Sequence, residues 1–170
     1  MPTYNHEKYI SDCLDGIVMQ KTSFDFEVYV QDDASNDLTP KIISKYEKRY
    51  SFITAVYHKE NLYSTGENIS KHYLSTTKCK YITVCEGDDY WTDPYKLQKQ
   101  VDFLDENPEY VLTGGYASQI YEHENFEIFH DKPSFDRSFD FDDRDIHQRN
   151  PIFALTMLFR YNIIKEFPDI

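Results

Sequence analysis

Glycine is scarce in this sequence, with five in 170 residues, and none of them builds a P-loop or a G-x-G-x-x-G run, so no glycine-rich loop cradles phosphate. Cysteine is scarce too. Cys13, Cys79 and Cys85 form no C-x-x-C pair and cannot all pair with one another, which argues for buried, reduced thiols rather than a disulfide scaffold. Positive charge is short: 18 Lys and Arg stand against 30 Asp and Glu, a formal net charge of -12, so a nucleic-acid backbone would be repelled. No uncharged run is long enough for a membrane helix, and the polar start Met1 to Lys8 is unlike a secretory signal. The expected location is cytoplasmic, at most peripheral at the inner face of the membrane in a longer parent. The six histidines show no H-E-x-x-H spacing and no serine occupies a G-x-S-x-G elbow, leaving zinc and serine hydrolase chemistry without support. An anionic ligand would therefore have to be held by a metal ion or by local dipoles.

What is present is an alternation of short β-rich runs with amphipathic helices. Tyr9, Ile10, Cys13, Leu14, Ile17 and Val18 predict a helix from about His6 to Gln20, capped by Asn5. Phe26 to Gln31 reads as a strand running into the polar turn Asp32 to Asp37. Thr39-Pro40 then looks like the cap and first position of a helix ending near Arg49. A strand over Phe52 to His58, a helix over Gly66 to Thr76 and a strand over Lys80 to Cys85 follow. Asp93-Pro94 opens another helix, stopped by Asn107-Pro108, before a strand near Tyr110 to Thr113. Beyond Gly115 the pattern changes to a hairpin over Ala117 to Phe129, an acidic loop over Asp131 to Asp145, a strand over Phe153 to Phe159 and a helix over Tyr161 to Phe167. The fold class is α/β: a doubly wound, mainly parallel sheet with a C-terminal hairpin and a mixed-sheet extension. At this length, one domain is expected over residues 1–170.

In an open parallel sheet the ligand crevice lies beyond the carboxyl ends of the strands. Two loops there are acidic, Asp32-Asp33 and Asp88-Asp89, and Tyr4-Asn5 precedes the first helix. A magnesium or manganese ion is bound through one or two carboxylates plus substrate phosphate oxygens, so an Asp pair on a turn can recruit a diphosphate to an acidic protein. Asp33 could accept a hydrogen bond from a pyrimidine base, and Tyr4 could stack on it. The plainer alternative is a pair of solvated acidic turns. Asp93 reads as a helix cap rather than a ligand.

Taken in order, Pro2-Thr3-Tyr4-Asn5, Val30 to Asp37 with Thr39, Asn61 with Gly66, and Tyr81-Ile82 leading to Glu86-Gly87-Asp88-Asp89-Tyr90-Trp91 with Asp93, Lys96 and Leu97 resemble the successive motifs of family-2 inverting glycosyltransferases of the GT-A fold. The resemblance covers about the first 115 residues. It implies a nucleotide-sugar-binding half over 1–115 and the start of an acceptor-side half over 116–170. By the same resemblance Asp89 is the principal ligand of Mn²⁺ or Mg²⁺, and Asp88 lies nearer the ribose and diphosphate. Pro2, Thr3, Tyr4, Asp33 and Asn61 line the nucleotide. The implied activity is transfer of a sugar from a nucleoside-diphosphate donor, UDP-linked by preference, to a glycan or lipid-linked acceptor in polysaccharide synthesis. The resemblance also implies that the family's first strand, which leads into Pro2-Thr3, is missing, and that the catalytic base falls beyond Ile170. Without that strand, the strands at Phe26 to Gln31 and Lys80 to Cys85 are expected to stay apart over a gap. Glu67 stands where many relatives carry an Arg. A catalytically inactive nucleotide-sugar-binding module and a nucleotidyltransferase are the rival readings; the latter usually opens on a basic, Gly-rich loop that this sequence does not offer.

Overall fold

The computed structural model describes residues 1–66, 78–118, 120–123, 126–129 and 153–162. In chain order, β1 (Pro2–Thr3), α1 (Ile10–Val18), β2 (Val28–Asp32), α2 (Thr39–Arg49) and β3 (Ile53–Tyr57) alternate as the hydrophobic pattern predicts. They are followed by α3 (Leu62–Thr65), β4 (Tyr81–Thr83) and α4 (Lys96–Glu106). Next come β5 (Leu112–Thr113), β6 (Ile120–His123), β7 (Phe126–Phe129), a 3₁₀ turn over Ala154–Thr156 and β8 (Leu158–Arg160).

Strands β1, β2 and β3 form a parallel sheet in that order, with Thr3 opposite Asp32 and Val28 opposite Ile53. The middle strand, Val-Tyr-Val-Gln-Asp, is buried at four of its five positions, as expected of a parallel strand covered on both faces. Against it α1 turns an unbroken apolar stripe, Ile10, Cys13, Leu14 and Ile17, all in the core, at the i, i+3, i+4, i+7 spacing of one helical face. Gly16 lets this helix lie directly on the chain at Trp91: a Cβ there would stand 2.7 Å from the Trp91 carbonyl oxygen. Leu97, Val101 and Leu104 of α4 and Leu158 of β8 belong to the same core cluster, which therefore runs beneath both sheets.

The second sheet has the order β4-β8-β5, with β8 antiparallel to both neighbours. Where the sequence leads one to expect a mixed extension, both ladders of this sheet are antiparallel. The hairpin is β6 with β7, Ile120 opposite Phe129.

Several local expectations change. The His6 to Gln20 helix is regular only over Ile10–Val18, and Asn5 does not cap it. Asn5 instead takes a left-handed backbone, φ 55°, and its side chain reaches the loop after β2. Thr39 is the first residue of α2 rather than its cap, because Asp37 Oδ1 accepts the Thr39 amide at 2.9 Å. The strand leading into the Pro-Thr-Tyr-Asn motif is not wholly missing: β1 pairs with β2, and the Gln31 amide donates to the Met1 carbonyl at 2.8 Å. The gap is present. Among the described residues no ladder joins β2 to β4, which lie in separate sheets. The helix placed at Gly66 to Thr76 and the acidic loop at Asp131 to Asp145 lie outside the described residues apart from Gly66, as does the Tyr161 to Phe167 helix beyond 162.

Candidate active site at the carboxyl ends of the parallel strands

Strand β1 has a neighbour on each side. The Asp33 amide donates to the Thr3 carbonyl at 2.9 Å, and across the other edge the Gly87 amide donates to the Pro2 carbonyl at 3.0 Å. The spatial order is therefore β3, β2, β1 and then the segment leaving β4, so winding reverses beside β1. Such a reversal opens a crevice at the strand ends, and the four loops there carry the residues singled out from the sequence.

The first two loops are laced together. Asn5 donates its amide to Ser35 Oγ at 2.9 Å and accepts the Asn36 amide on Oδ1 at 2.9 Å. Glu7 and Asp37 make a second reciprocal pair: the Glu7 amide donates to Asp37 Oδ2 at 3.0 Å and the Leu38 amide to Glu7 Oε2 at 2.8 Å. These four bonds fix the loop that presents Tyr4, whose side chain stands in solvent.

Asp33 is only 3% exposed and its two carboxylate oxygens accept the amides of Leu62 and Tyr63 at 2.7 and 3.0 Å. Asn61 donates to the Asp33 carbonyl at 3.2 Å and caps α3 by accepting the Ser64 amide at 2.8 Å. Asp33 and Asn61 are thus brought together as an anchor for the loop after β3, a role the sequence did not disclose. Each Asp33 oxygen has a further lone pair. Its neighbour Asp32 is equally buried, with Oδ1 lacking any partner, and burial pushes its carboxyl above the usual range.

The acidic turn follows β4. It is closed by the Asp89 amide donating to the Glu86 carbonyl at 3.1 Å. Gly87 lies so close to β1 that an added Cβ would overlap the Thr3 side chain and sit 2.7 Å from His6 Nδ1. That contact packs the turn against Thr3, which is itself buried, and His6, whose Nδ1 lies 3.2 Å from Thr3 Oγ1 and 3.9 Å from Asp88 Oδ1. Asp88 is half exposed. The Asp89 carboxyl is pushed up by burial and then by the charges of Asp88 and Glu86. A cation would relieve the repulsion that Asp88 and Glu86 exert on Asp89.

Among the described residues no group of three or more His, Cys, Asp or Glu side chains could hold a metal ion. The donor set fits Mn²⁺ or Mg²⁺ nonetheless, because these ions are bound through one or two carboxylates and take the rest of their oxygens from phosphates and water. Asp93 lies outside this group: Oδ1 accepts the Tyr95 amide at 2.9 Å and Oδ2 accepts Lys99 Nζ at 2.7 Å, so it ties down the chain entering α4.

Pro2 and Thr3 on β1, and Tyr4, Asp33, Asn61, Asp88 and Asp89 on the segments that follow β1, β2, β3 and β4, thus all fall at the carboxyl ends of the strands. His6 and Gly87 were missed as contributors. His6 has no ligand spacing to mark it, while Gly87 stands in the acidic motif but carries no side chain to suggest a role. A cavity of about 540 Å³ lined by Thr22, Phe24, Phe26, Tyr29 and Phe52 lies among residues of β2 and those preceding β2 and β3, apart from the acidic turn.

The glycosyl transferase family 2 profile matches residues 1–165. An uncharacterised protein of Mycobacterium tuberculosis is 43% identical over 120 residues, which is 71% of this chain and 34% of that protein. The chain thus spans about a third of the length of that relative. TarS of S. aureus, residues 1–349 in complex with UDP-GlcNAc, superposes with a TM-score of 0.62 at 22% identity over 98% of this chain and 45% of its own. A mannosyltransferase of Pyrobaculum calidifontis in complex with GDP-Man and Mn²⁺ superposes with a TM-score of 0.67 at 17% identity, over 99% and 46%. At these identities the likeness is one of fold, and it bears out the α/β, GT-A-like architecture.

Proposed function

The chain belongs to glycosyl transferase family 2, and on that premise we propose that it binds a nucleoside-diphosphate sugar across the ends of β1, β2 and β4 and serves its transfer to a glycan or lipid-linked acceptor. The observation that carries this reading is the Gly87-to-Pro2 hydrogen bond, which sets the acidic turn beside the loop bearing Thr3 and Tyr4. In this assignment residues 1–115 hold the donor and 116–170 begin the acceptor side.

Tyr4, exposed at the crevice, stacks on the base, and Asp33 accepts from it with the lone pairs left free by Leu62 and Tyr63. Pro2 and Thr3 line the nucleotide, and Asn61 keeps Asp33 in place. Asp89, with Asp88, holds Mn²⁺ or Mg²⁺; when bound, the ion neutralises charge on the departing diphosphate. Binding a cation also lowers the mutual repulsion that raises the Asp89 carboxyl. A UDP-sugar is the favoured donor, in keeping with the UDP-GlcNAc held by TarS, and the Mn²⁺ held by the mannosyltransferase supports the metal. Among the described residues no helix is long and apolar enough to cross a membrane, and we place the chain at the cytoplasmic side, where nucleotide sugars are used.

Titration calorimetry with Mn²⁺ tests the reading. UDP and UDP-GlcNAc should bind at one site and compete, whereas uridine, which has no diphosphate to meet the metal, should bind far more weakly. Equal affinity for uridine and UDP would remove the diphosphate from the account.

A further inference from the structure

The sheet order β1-β2-β3 sets three segments side by side at the carboxyl ends of the strands. Tyr4 follows β1, Asp33 follows β2, and Asn61 with α3 follows β3. Asp33 is bonded to both neighbours, donating its amide to the Thr3 carbonyl and accepting the Leu62 and Tyr63 amides on its carboxylate.

Tyr63 has both of its backbone groups engaged. Its amide donates to Asp33 Oδ2 at 3.0 Å, and its carbonyl accepts the amide of Gly66, the left-handed residue that ends α3, at 3.1 Å. Its side chain takes no part in this anchorage. At 84% it is the most exposed of the large hydrophobic side chains among the described residues, so core packing does not account for an aromatic ring at this position. Tyr4, 43% exposed, is presented in the same manner on the other side of Asp33, from the loop fixed by the Asn5 and Glu7 bonds.

Neighbouring strands lie about 4.8 Å apart, so the segments after β1 and β3 stand about 9.6 Å apart across Asp33. A flat ring touched on both faces at about 3.5–4.0 Å needs its two partners about 7–8 Å apart. Side chains leaning inward close that difference.

We propose that Tyr63 is a second base-stacking residue: it covers the face of the nucleotide base that Tyr4 leaves open, while Asp33 between them accepts from the edge of the base. This inference rests on the donor-binding reading above. Every base has a π-face, so Tyr63 adds affinity without choosing among bases, and the choice stays with Asp33.

The test is calorimetry in Mn²⁺ with UDP and with dihydro-UDP, whose saturated ring is puckered but keeps the N3–H and both carbonyls. The native chain should prefer UDP. Tyr63→Ala should bind UDP about tenfold more weakly, as removal of a base-stacking ring does, and its preference for UDP over dihydro-UDP should narrow. Tyr63→Phe, which keeps the ring, should behave as the native chain does. Both backbone bonds survive these substitutions, so the loop keeps its place. Native-like UDP affinity in Tyr63→Ala, or an equal loss for the two nucleotides, overturns this inference alone. A native chain that binds no UDP overturns the donor-binding reading and this inference with it.

Discussion

Gly87 and Pro2 are joined by a single backbone hydrogen bond of 3.0 Å, and that bond brings the acidic turn to the edge of β1. The approach is close enough that only glycine fits, since a Cβ would overlap Thr3 and crowd His6. Gly87→Ala should therefore cost about 1–3 kcal/mol by overpacking, with the turn displaced from β1. Urea denaturation measures the cost, and calorimetry should show UDP affinity falling with it. Unchanged stability and affinity together would mean the turn does not depend on this contact.

Asp33 is next, because its carboxylate serves the fold before it serves a ligand. In Asp33→Asn one oxygen becomes an amide that faces the Leu62 or Tyr63 N–H, leaving a buried donor unpaired at a cost of about 1–3 kcal/mol. Asn61→Ala removes only the α3 cap and the bond to the Asp33 carbonyl, for about 1 kcal/mol. Denaturation curves of the two variants should rank in that order; the reverse ranking would make Asn61 the anchor.

How far this was legible in the sequence follows from where each determinant resides. The acidic pairs could be placed at strand ends because strand and turn signals adjoin at Gln31-Asp32 and Cys85-Glu86. The hydrophobic stripe of α1 was equally plain. Partners were not: Asn5 is a good capping residue, and nothing local says that its side chain is taken by the Asn36 amide, 31 residues on. The same holds for Asp33, whose partners Leu62 and Tyr63 open α3, beyond the next strand. Of the strand expected over Phe153 to Phe159 only the end holds, since Ala154–Thr156 is a 3₁₀ turn and β8 runs over Leu158–Arg160, and its place between β4 and β5 depends on pairing that periodicity does not encode.

Lys96 offers a test of electrostatics outside the crevice. Burial pulls its ammonium down to about 8, and its Nζ sits 4.2 Å from the Trp91 ring centroid with one hydrogen bond, 2.8 Å, to Gln100 Oε1. A lysine with a folded pKa below its unfolded one is a destabilising charge at neutral pH. The penalty is complete below about 8 and disappears as pH rises through the unfolded value of about 10.4. Burial costs roughly 3 kcal/mol on that scale, and the ring returns about 1–2, so desolvation wins. Lys96→Met should stabilise the chain by about 1 kcal/mol at pH 7, a gain that shrinks between pH 8 and 10. Denaturation midpoints across that range check the sign; a variant destabilised at pH 7 would show that the ring and Gln100 outweigh burial.

The central claim is that carboxylates of the acidic turn hold a metal that in turn holds a diphosphate. The most direct measurement is the melting temperature of the chain with and without UDP, in Mn²⁺ and in EDTA, for the native sequence, Asp89→Asn and Asp93→Asn. With Mn²⁺ and UDP at about a hundred times its dissociation constant, the native chain should gain roughly 2.7 kcal/mol, and much less in EDTA. Asp89→Asn should lose the metal-dependent part. Asp93→Asn should keep it, and should be less stable by about 1 kcal/mol throughout because the Tyr95 and Lys99 contacts are weakened. Equal UDP shifts in Mn²⁺ and EDTA, or a metal-dependent shift that survives in Asp89→Asn and vanishes in Asp93→Asn, would contradict the account.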